Sequence, residues 1–469
     1  MSWTYNRSSS VLAAIRAALA AIIGAVVAIT FSCQTAGDAG QIASDTYLDP
    51  VVGPTEVAAN EVLVRFRAGA TVRDIISIIR DAEHLDLAEP IGNGRFWRLK
   101  STDFDTATLI RRLRGRAEVD YVEPNFVYHT DKMPSDPLFG QQWSLQNTGQ
   151  TAEGLQGIQG DDISALLAWD VTTGSKDNVV AVIDTGIEYT HPDLKAQMWA
   201  APHNFSITLG TTTIYCKKDD HGIDVLLMKC NPGDVNGHGT AVAGVIAAQG
   251  QPEGQIGQGV TGLNWTASIL SVRTVDSSGS TTAAAAVNAI SAVIQIKLAL
   301  RPEKEANIRI ISNSWGGHSS SQALLEAIVG AETEEMLFVA AAGNLGTDND
   351  TLPFYPASYD VANVLSVTAT NNQDLRPTFA NYGARSVAMA APGVGIVTTS
   401  TYGKYSPITG TSLAAPFVSG AAALVLSHCA MTTAQLKAAI LDSVDVLPSL
   451  ENMVTSSGRL NVNRAVHSC

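Results

Sequence analysis

The sequence predicts an α/β fold in which helices cover both faces of a parallel sheet, preceded by a small α+β unit. Over residues 138–469, short apolar runs of strand length alternate with longer runs of helical pattern, which is typical of a parallel sheet. Over residues 58–130, strand, helix, strand, helix and strand patterns follow one another directly. Hydrophobic residues make up 45% of the chain and charged residues 16%, which excludes a disordered or fibrous protein.

The N-terminal segment 1–33 is typical of an export signal. Arg7 and Arg16 supply positive charge, and an almost wholly apolar run over 17–31 is followed by small residues. That run is shorter than the roughly 20 residues of a spanning helix. Three interpretations stay open: a cleaved signal peptide, a lipoprotein signal with lipidation at Cys33, or an uncleaved anchor over 11–31. The protein is therefore expected to be secreted or to lie in the cell envelope.

The small unit over residues 58–130 is predicted to be ferredoxin-like. It follows a segment rich in Gly, Ala, Thr, Asp and Pro, residues 34–57, which we interpret as a flexible linker. The predicted order is a strand over 62–66, a helix over 71–82, a strand over 95–100, a helix over 106–114 and a strand over 119–128. Residues 131–137, with two prolines and little apolar pattern, are interpreted as a second linker at the start of the larger domain, 131–469.

The larger domain carries the alternating pattern. Its strands are predicted over 179–183, 269–275, 308–312, 336–342, 364–368 and 386–390, and its helices over 239–248, 281–300, 412–429 and 433–443. The helices are rich in Gly and Ala, which suits close packing of helix against sheet.

Charge and cysteine content limit the partners. The formal net charge of −14 argues against nucleic acid, because nucleic-acid binding needs clustered Lys and Arg. Four of the five cysteines follow residue 33, and an even number in an exported chain predicts two disulfides. Cys216–Cys230 and Cys429–Cys469 are the preferred pairs, since each would tie a local loop or tail. Other pairings and free buried thiols stay open.

Three polar residues stand in settings that suit nucleophilic catalysis. Ser412 begins an apolar helix, where unpaired backbone N–H groups favour a developing negative charge. His238 is flanked by two glycines that leave room for a substrate beside the imidazole, and a serine needs such a base. Asp184 ends a buried strand, where ligands gather in open α/β sheets. Alone, each residue has an ordinary interpretation: a helix cap, a loop histidine and a turn aspartate.

Together, the three segments resemble the Asp, His and Ser signatures of the subtilisin-like serine proteases, in that family's chain order. They are VAVIDTGIEYTHPDL, NGHGTAVAGVIAA and GTSLAAPFVSGAAALVL. The resemblance implies a subtilisin-like sheet and a serine endopeptidase in which Ser412 attacks the peptide carbonyl, His238 transfers the proton and Asp184 orients the imidazole. Leu413 departs from the usual Met, but the exchange is apolar and of similar volume.

The same resemblance extends to binding residues. Asn344 matches the family's side-chain donor to the oxyanion. Ser314, Trp315 and Gly316 resemble the segment that pairs with the substrate backbone, and Ala341, Ala342 and Gly343 would line the first pocket. Small residues at these positions predict a roomy apolar pocket and broad specificity. Asp193 and Gln142 resemble ligands of a structural calcium ion, although the loop near 251–260 lacks the usual Asn. No cofactor is required for the chemistry.

The resemblance also implies a precursor. Residues 58–130 resemble the family's inhibitory pro-domain, which would be cut off by the enzyme itself between about 129 and 137. The expected protein is a monomeric, self-processed endopeptidase whose partners are protein or peptide substrates and its own pro-domain. Two alternatives remain: a catalytically inactive binding module on the same fold, and an esterase or acyltransferase, which the peptide-pairing segment disfavours.

Overall fold

The computed structural model describes residues 44–49, 53–67, 69–70, 78, 85–92, 96–127, 133–252, 254–300 and 307–468. The chain divides into two compact units, Met1–His129 and Thr130–Cys469. The predicted signal segment with Cys33 lies outside the described residues, and so does all of the predicted 71–82 helix except Ile78, which is helical and buried.

The N-terminal unit is built on an antiparallel sheet against which one described helix packs. Its elements are β1 Ser44–Asp49, β2 Gly53–Phe66, β3 Leu85–Ile91, β4 Phe96–Ser101, α1 Thr106–Leu113 and β5 Val119–Phe126. The strands pair in the order β1-β2-β4-β3, with β5 also on β2. Asp105 caps α1, whose Leu109, Ile110 and Leu113 pack on Val62 of the sheet.

Two features of this unit differ from the sequence prediction. The linker predicted over 34–57 contains β1 and the beginning of β2, which pair in antiparallel register. Composition gave no strand signal there, but pairing along β2 supplies the backbone hydrogen bonds of the segment. Strand β3 also escaped prediction. The ferredoxin-like description of the whole unit stays a prediction, because the region of its first helix is largely outside the described residues.

The larger unit contains a ten-stranded, mostly parallel sheet. The strands of this unit are β6 Thr151–Ala152, β7 Leu155–Gln156, β8 Val179–Asp184, β9 Phe205–Leu209, β10 Thr212–Cys216, β11 Gly222–Asp224, β12 Lys229–Cys230, β13 Ser268–Arg273, β14 Ile308–Asn313, β15 Leu337–Ala341, β16 Val364–Thr370, β17 Met389–Pro392, β18 Ile396–Ser400, β19 Lys404–Ile408, β20 Asp445–Val446 and β21 Gly458–Arg459. The sheet strands pair in the order β12-β11-β13-β8-β14-β15-β16-β17-β21-β20, and only the two edge strands run antiparallel to their neighbours.

Helices cover both faces of this sheet. Its described helices are α2 Ala165–Val171, α3 His238–Ala247, α4 Ala283–Ala299, α5 Gln322–Thr333, α6 Thr411–His428, α7 Thr433–Leu441 and α8 Val462–Val466. Along β8, Val180 and Val182 join the core under α3 and α6, whereas Val179, Ala181 and Ile183 join the core under α4 and α5. A strand buried on both faces reads as a continuous apolar run. The predicted α/β class with a parallel sheet is confirmed.

Helix α6 passes through the centre of the core. Among the described residues it is the one helix long and apolar enough to cross a membrane, but 89% of it is buried inside the protein. Its length and composition therefore reflect its position between the sheet and α3.

Several boundaries and elements differ from prediction. The last predicted strand, 386–390, lies at Met389–Pro392 as β17. The elements that escaped prediction are α2, α5, α8, three small hairpins and the short strands β11, β12, β20 and β21. Helix α5 did carry a signal, since Leu324, Ile328 and Ala331 form its buried stripe. The second predicted linker, 131–137, is also anchored: Asp136 is buried and accepts hydrogen bonds from Gln251 N and Thr261 Oγ1.

Candidate active site

Adjacent parallel strands bring the predicted site residues together. Asp184 ends β8, Ser314 follows β14, and Asn344 follows β15 closely. These strands are neighbours in the sheet, so their carboxyl ends lie at one edge. Helices α3 and α6 begin at the same edge, with His238 and Ser412 in their first turns. This is the edge at which open parallel sheets bind ligands.

Asp184 and His238 are directly bonded. The Asp184 side chain is buried, and its Oδ1 accepts hydrogen bonds from Thr185 N and from His238 Nδ1, each at 2.8 Å. Since the carboxylate accepts at Nδ1, the other ring nitrogen is left for the cleft. The Asp184 charge raises the pKa of His238, and burial opposes this only in part.

Backbone conformation and close backbone packing require the two glycines beside His238. Gly237 has a φ of +107°, which favours glycine. A Cβ on Gly239 would lie 2.1 Å from the carbonyl oxygen of Gly186. The sequence interpretation, room for substrate, was therefore incomplete: these glycines let α3 begin against the loop that follows Asp184.

Asp234 joins the Asp184 and His238 segments, and sequence reasoning missed it. Its Oδ1 accepts from Thr185 Oγ1 at 2.8 Å and from the N–H groups of Asn236 and Gly237. Its Oδ2 accepts from Thr240 N and Thr240 Oγ1. Thr185 Oγ1 in turn accepts from Gly239 N at 2.9 Å. The only sequence signal was an acidic residue just before a helix start.

Ser412 is the second residue of α6, where its backbone N–H has no intrahelical acceptor. No described hydrogen bond joins its hydroxyl to His238; such contacts often tighten only when substrate binds. Pro416 lies in the second turn of α6 and has no N–H, so it cannot donate to the Ser412 carbonyl. Ser314 Oγ donates to that carbonyl instead, at 2.8 Å.

The predicted substrate-binding residues divide into two groups. Five of them, Ser314, Trp315, Gly316, Ala341 and Gly343, line one cleft of about 390 Å³. Asp184, His238, Asn344 and Ser412 line the same cleft. Ala342 does not line it, which corrects the prediction. Along this extended segment successive side chains alternate, so Ala342 points into a separate apolar cluster with Val387 and Leu450.

Trp315 and Asn344 are both fixed by hydrogen bonds. Trp315 Nε1 donates to the carbonyl of Ile183 at 2.8 Å, which ties this segment to β8. Asn344 Oδ1 accepts from Thr411 N and Thr411 Oγ1, each at 2.9 Å. The amide nitrogen of Asn344 is thereby left to face the cleft near Ser412.

Comparison with known proteins agrees with this geometry. Residues 175–466 match the model of the Subtilase family. The chain belongs to the subtilase family. As a subtilase it is a serine-type endopeptidase, and its predicted family, enzyme class and fold are confirmed.

Characterised relatives resemble this subtilase over most of its length. The thermophilic serine proteinase of Bacillus sp. (strain AK1) is 32% identical over 359 residues, which cover 76% of this chain and 75% of the relative. Thermitase of Thermoactinomyces vulgaris is 33% identical over 304 residues, covering 65% and 93%. Subtilisin E of Bacillus subtilis (strain 168) is 29% identical over 372 residues, covering 78% and 81%.

Of the two predicted calcium ligands of this subtilase, Gln142 is hydrogen-bonded to the protein backbone. Gln142 Oε1 accepts from Thr261 N at 2.8 Å, and its Nε2 donates to Thr261 O. Asp193 is fully buried, and the Tyr405 hydroxyl interacts with its carboxyl group. Its Oδ1 accepts no hydrogen bond of standard geometry from the described residues. Asp136 Oδ1 is likewise buried and unpartnered. Sequence reasoning missed Asp136 because it was assigned to a linker.

The two carboxylates hold the ends of one loop. Asp136 Oδ2 accepts from Gln251 N, and Asp193 Oδ2 accepts from Val260 N. Burial raises the pKa of both carboxyl groups, and the charge of Asp136 further raises the pKa of Asp193. Two neighbouring buried carboxylates, each with an unpartnered oxygen, fit an oxygen-ligated cation such as Ca²⁺.

One of the two predicted disulfides lies wholly within the described residues. Cys216 and Cys230 are bonded, with their Cα atoms 5.7 Å apart. The bond joins the ends of β10 and β12 within an insertion between the Asp184 and His238 segments. Cys469 lies outside the described residues, so Cys429–Cys469 stays a prediction. Among the described residues, one cluster of three or more His, Cys, Asp or Glu side chains is close enough to share a metal ion. It contains these two bonded cysteines with Asp220, and bonded cysteines do not offer thiolates.

Proposed function

We propose that this subtilase hydrolyses peptide bonds of proteins through a triad of Asp184, His238 and Ser412. The observation that carries the proposal is the 2.8 Å bond between His238 Nδ1 and the buried Asp184 carboxylate, in the cleft that Ser412 also lines. The bond fixes the tautomer in which Nε2 is the base.

Hydrolysis of a peptide bond at this site needs only these three residues and water. Ser412 Oγ attacks the peptide carbonyl carbon while its proton passes to His238 Nε2. The imidazolium that forms is stabilised by Asp184, and it then gives the proton to the leaving amine as the C–N bond breaks. Water attacks the resulting ester by the same route and restores the serine.

Asn344 and the Ser412 backbone are the proposed oxyanion donors. Thr411 occupies Asn344 Oδ1 through two hydrogen bonds, so Nδ2 is oriented before substrate arrives. The Ser412 N–H at the start of α6 adds the helix dipole to this field.

The substrate pairs as an added strand with Ser314–Gly316, and broad specificity follows from the small residues beside it. Ala341, Gly343 and Gly316 leave space in the cleft, and Leu345 and Phe354 add apolar surface. Asp184 is the only carboxylate among the described residues that line this cleft, so nothing there favours a basic side chain in the first pocket.

The enzyme is made as an exported precursor. Residues 58–130 act as an inhibitory pro-domain, and the enzyme cuts the chain between about 129 and 137. The boundary between the two compact units, at 129–130, supports this position. Two relatives support an extracellular place of action: the extracellular protease of Xanthomonas campestris and the cell wall-associated protease of Bacillus subtilis. The mature enzyme acts as a monomer. Lipid on Cys33 would anchor the uncut precursor, because the cut between about 129 and 137 separates Cys33 from the catalytic domain.

A structural calcium ion is part of the proposal. Asp136 and Asp193 would hold it, and it would neutralise two buried carboxylates that anchor the 251–260 loop. The catalytic chemistry does not use it.

The deciding experiment compares the wild type with Ser412→Ala by intact mass and casein hydrolysis. We expect an active wild type trimmed near 129–137 and an untrimmed, inactive variant. Equal trimming of both proteins, with no casein hydrolysis by either, would reject the proposal in favour of an inactive binding module.

A further inference from the structure

A second pocket adjoins the catalytic cleft beyond His238. It has a volume of about 380 Å³, and Glu188, Tyr189, Val235, Asn236, Thr401 and Tyr402 are among its lining residues. Asn236 also lines the catalytic cleft, so the two spaces meet there. Ser314, Trp315 and Gly316 line the catalytic cleft alone.

The second pocket lies where the leaving half of a substrate must pass. If the acyl half pairs with Ser314–Gly316, the chain after the cut bond leaves Ser412 in the opposite direction, past the imidazole that protonates its amine. Thr401 approaches the loop just before His238, since a Cβ on Gly237 would lie 3.6 Å from its methyl group. The turn that holds Thr401 and Tyr402 joins β18 to β19, the hairpin that leads to Ser412.

The charges in the second pocket are negative. Glu188 and Asp234 line it, and none of its described lining residues is Lys or Arg. Both oxygens of Asp234 already accept hydrogen bonds, one from Thr185 and the other from Thr240 in α3. Glu188 Oε2 accepts from Tyr402 N at 2.6 Å, while its Oε1 has no partner among the described contacts. Glu188 therefore has one oxygen for a ligand.

Tyr402 supplies an aromatic side chain to the same pocket. Its side chain is 87% exposed, and its backbone is held by Glu188. An arginine or lysine side chain can stack on a tyrosine ring while its charged end reaches a carboxylate.

We propose that the second pocket binds an arginine or lysine side chain among the first three residues after the cut bond. This inference rests on the proposed peptidase function and adds a substrate preference that the catalytic cleft lacks. Glu188 pairs with the charged end, and Tyr402 covers the aliphatic or guanidinium part.

The test uses internally quenched peptides with one acyl half and with Arg, Gln or Glu at each of the first three leaving positions. At one position, kcat/KM of the wild type should favour Arg over Gln about tenfold, the size of one charge-assisted hydrogen bond, and disfavour Glu. Glu188→Gln keeps an acceptor for Tyr402 N but removes the charge, so the Arg/Gln ratio should fall towards one. Tyr402→Ala should lower it in part. Glu326→Gln, on the exposed side of α5, removes an equal charge and should leave the ratio unchanged.

Equal cleavage of all three peptides at every position would overturn the inference while leaving the peptidase function intact. An Arg/Gln ratio that survives Glu188→Gln would overturn it as well. If the wild type cut none of the peptides and no casein, the proposed function would fail first, and this inference with it.

Discussion

Thr411 holds Asn344 by two hydrogen bonds of 2.9 Å, both to the carboxamide oxygen. The residue before the proposed nucleophile thus orients the proposed oxyanion donor. A donor fixed before substrate arrives needs no reorganisation during the reaction, and this is why such groups act strongly on the transition state.

Asn344→Ala should therefore lower kcat by roughly 100- to 1,000-fold with little change in KM. Steady-state kinetics on a peptide substrate measure both values. The melting temperature serves as control, because Asn344 is exposed and its removal opens no core cavity. A kcat within a few-fold of wild type would remove Asn344 from the oxyanion site.

The pH dependence should report His238. Its neutral form is the base, and the Asp184 charge raises its pKa above the ordinary 6.5. Activity should therefore rise with pH through a midpoint above 6.5 and fall on acidification, as His238 gains its proton. In Asp184→Asn the midpoint of kcat/KM should move to lower pH, and kcat should drop by about 10⁴-fold. An unmoved midpoint would show that another group controls the acid limb.

Asp234 should behave as a positioning residue. Asp234→Asn replaces one acceptor oxygen by an amide nitrogen, which loosens the link between the Asp184 and His238 loops. We expect kcat to fall about 10- to 100-fold, more than KM changes. The acid limb should also move to lower pH, because the Asp234 charge contributes to the raised pKa of His238.

Thr185 provides a matched pair for the same network. Thr185→Ser keeps the hydroxyl that joins Asp234 to Gly239 N, and Thr185→Ala removes it. The Thr185→Ser enzyme should retain most of the wild-type kcat, and the Thr185→Ala enzyme should not. Equal kcat values for the two variants would argue that Asp234 acts through its charge alone.

Calcium should stabilise the fold through Asp136 and Asp193. Saturating Ca²⁺ at about 100 times its Kd adds ~2.7 kcal/mol to the free energy of unfolding, which corresponds to a rise of several degrees in melting temperature over EDTA. Asp193→Asn should abolish that rise. In EDTA the variant should melt at or above the wild-type temperature, because it removes one of two neighbouring buried charges.

Gln142→Leu is the control for the ligand set. Its hydrogen bonds with Thr261 would be lost equally with and without calcium, so the calcium-dependent rise should persist. A variant that loses the rise would restore Gln142 as a ligand. A wild type with equal melting temperatures in Ca²⁺ and EDTA would reject the calcium site.

The sequence by itself determined the alternation of strands and helices, the parallel sheet and the residues proposed for the chemistry. Buried strands such as β8 are apolar as far as the residue before Asp184 because both faces are covered, and this is visible without coordinates. The motifs around Asp184, His238 and Ser412 are local, so each can be read from a few neighbouring residues.

Only the tertiary structure decided which side chains meet. Asp136 and Asp193 are 57 residues apart in the sequence, and Asp234 accepts a hydrogen bond from Thr185 across the insertion. No local sequence pattern predicts such contacts, because they depend on the order of the strands in the sheet. The pleat turned Ala342 away from the cleft, and Pro416 freed the Ser412 carbonyl for Ser314. Neighbouring residues in the sequence identify the local catalytic motifs, whereas the packing of the whole sheet determines which residues distant in the chain become hydrogen-bond partners.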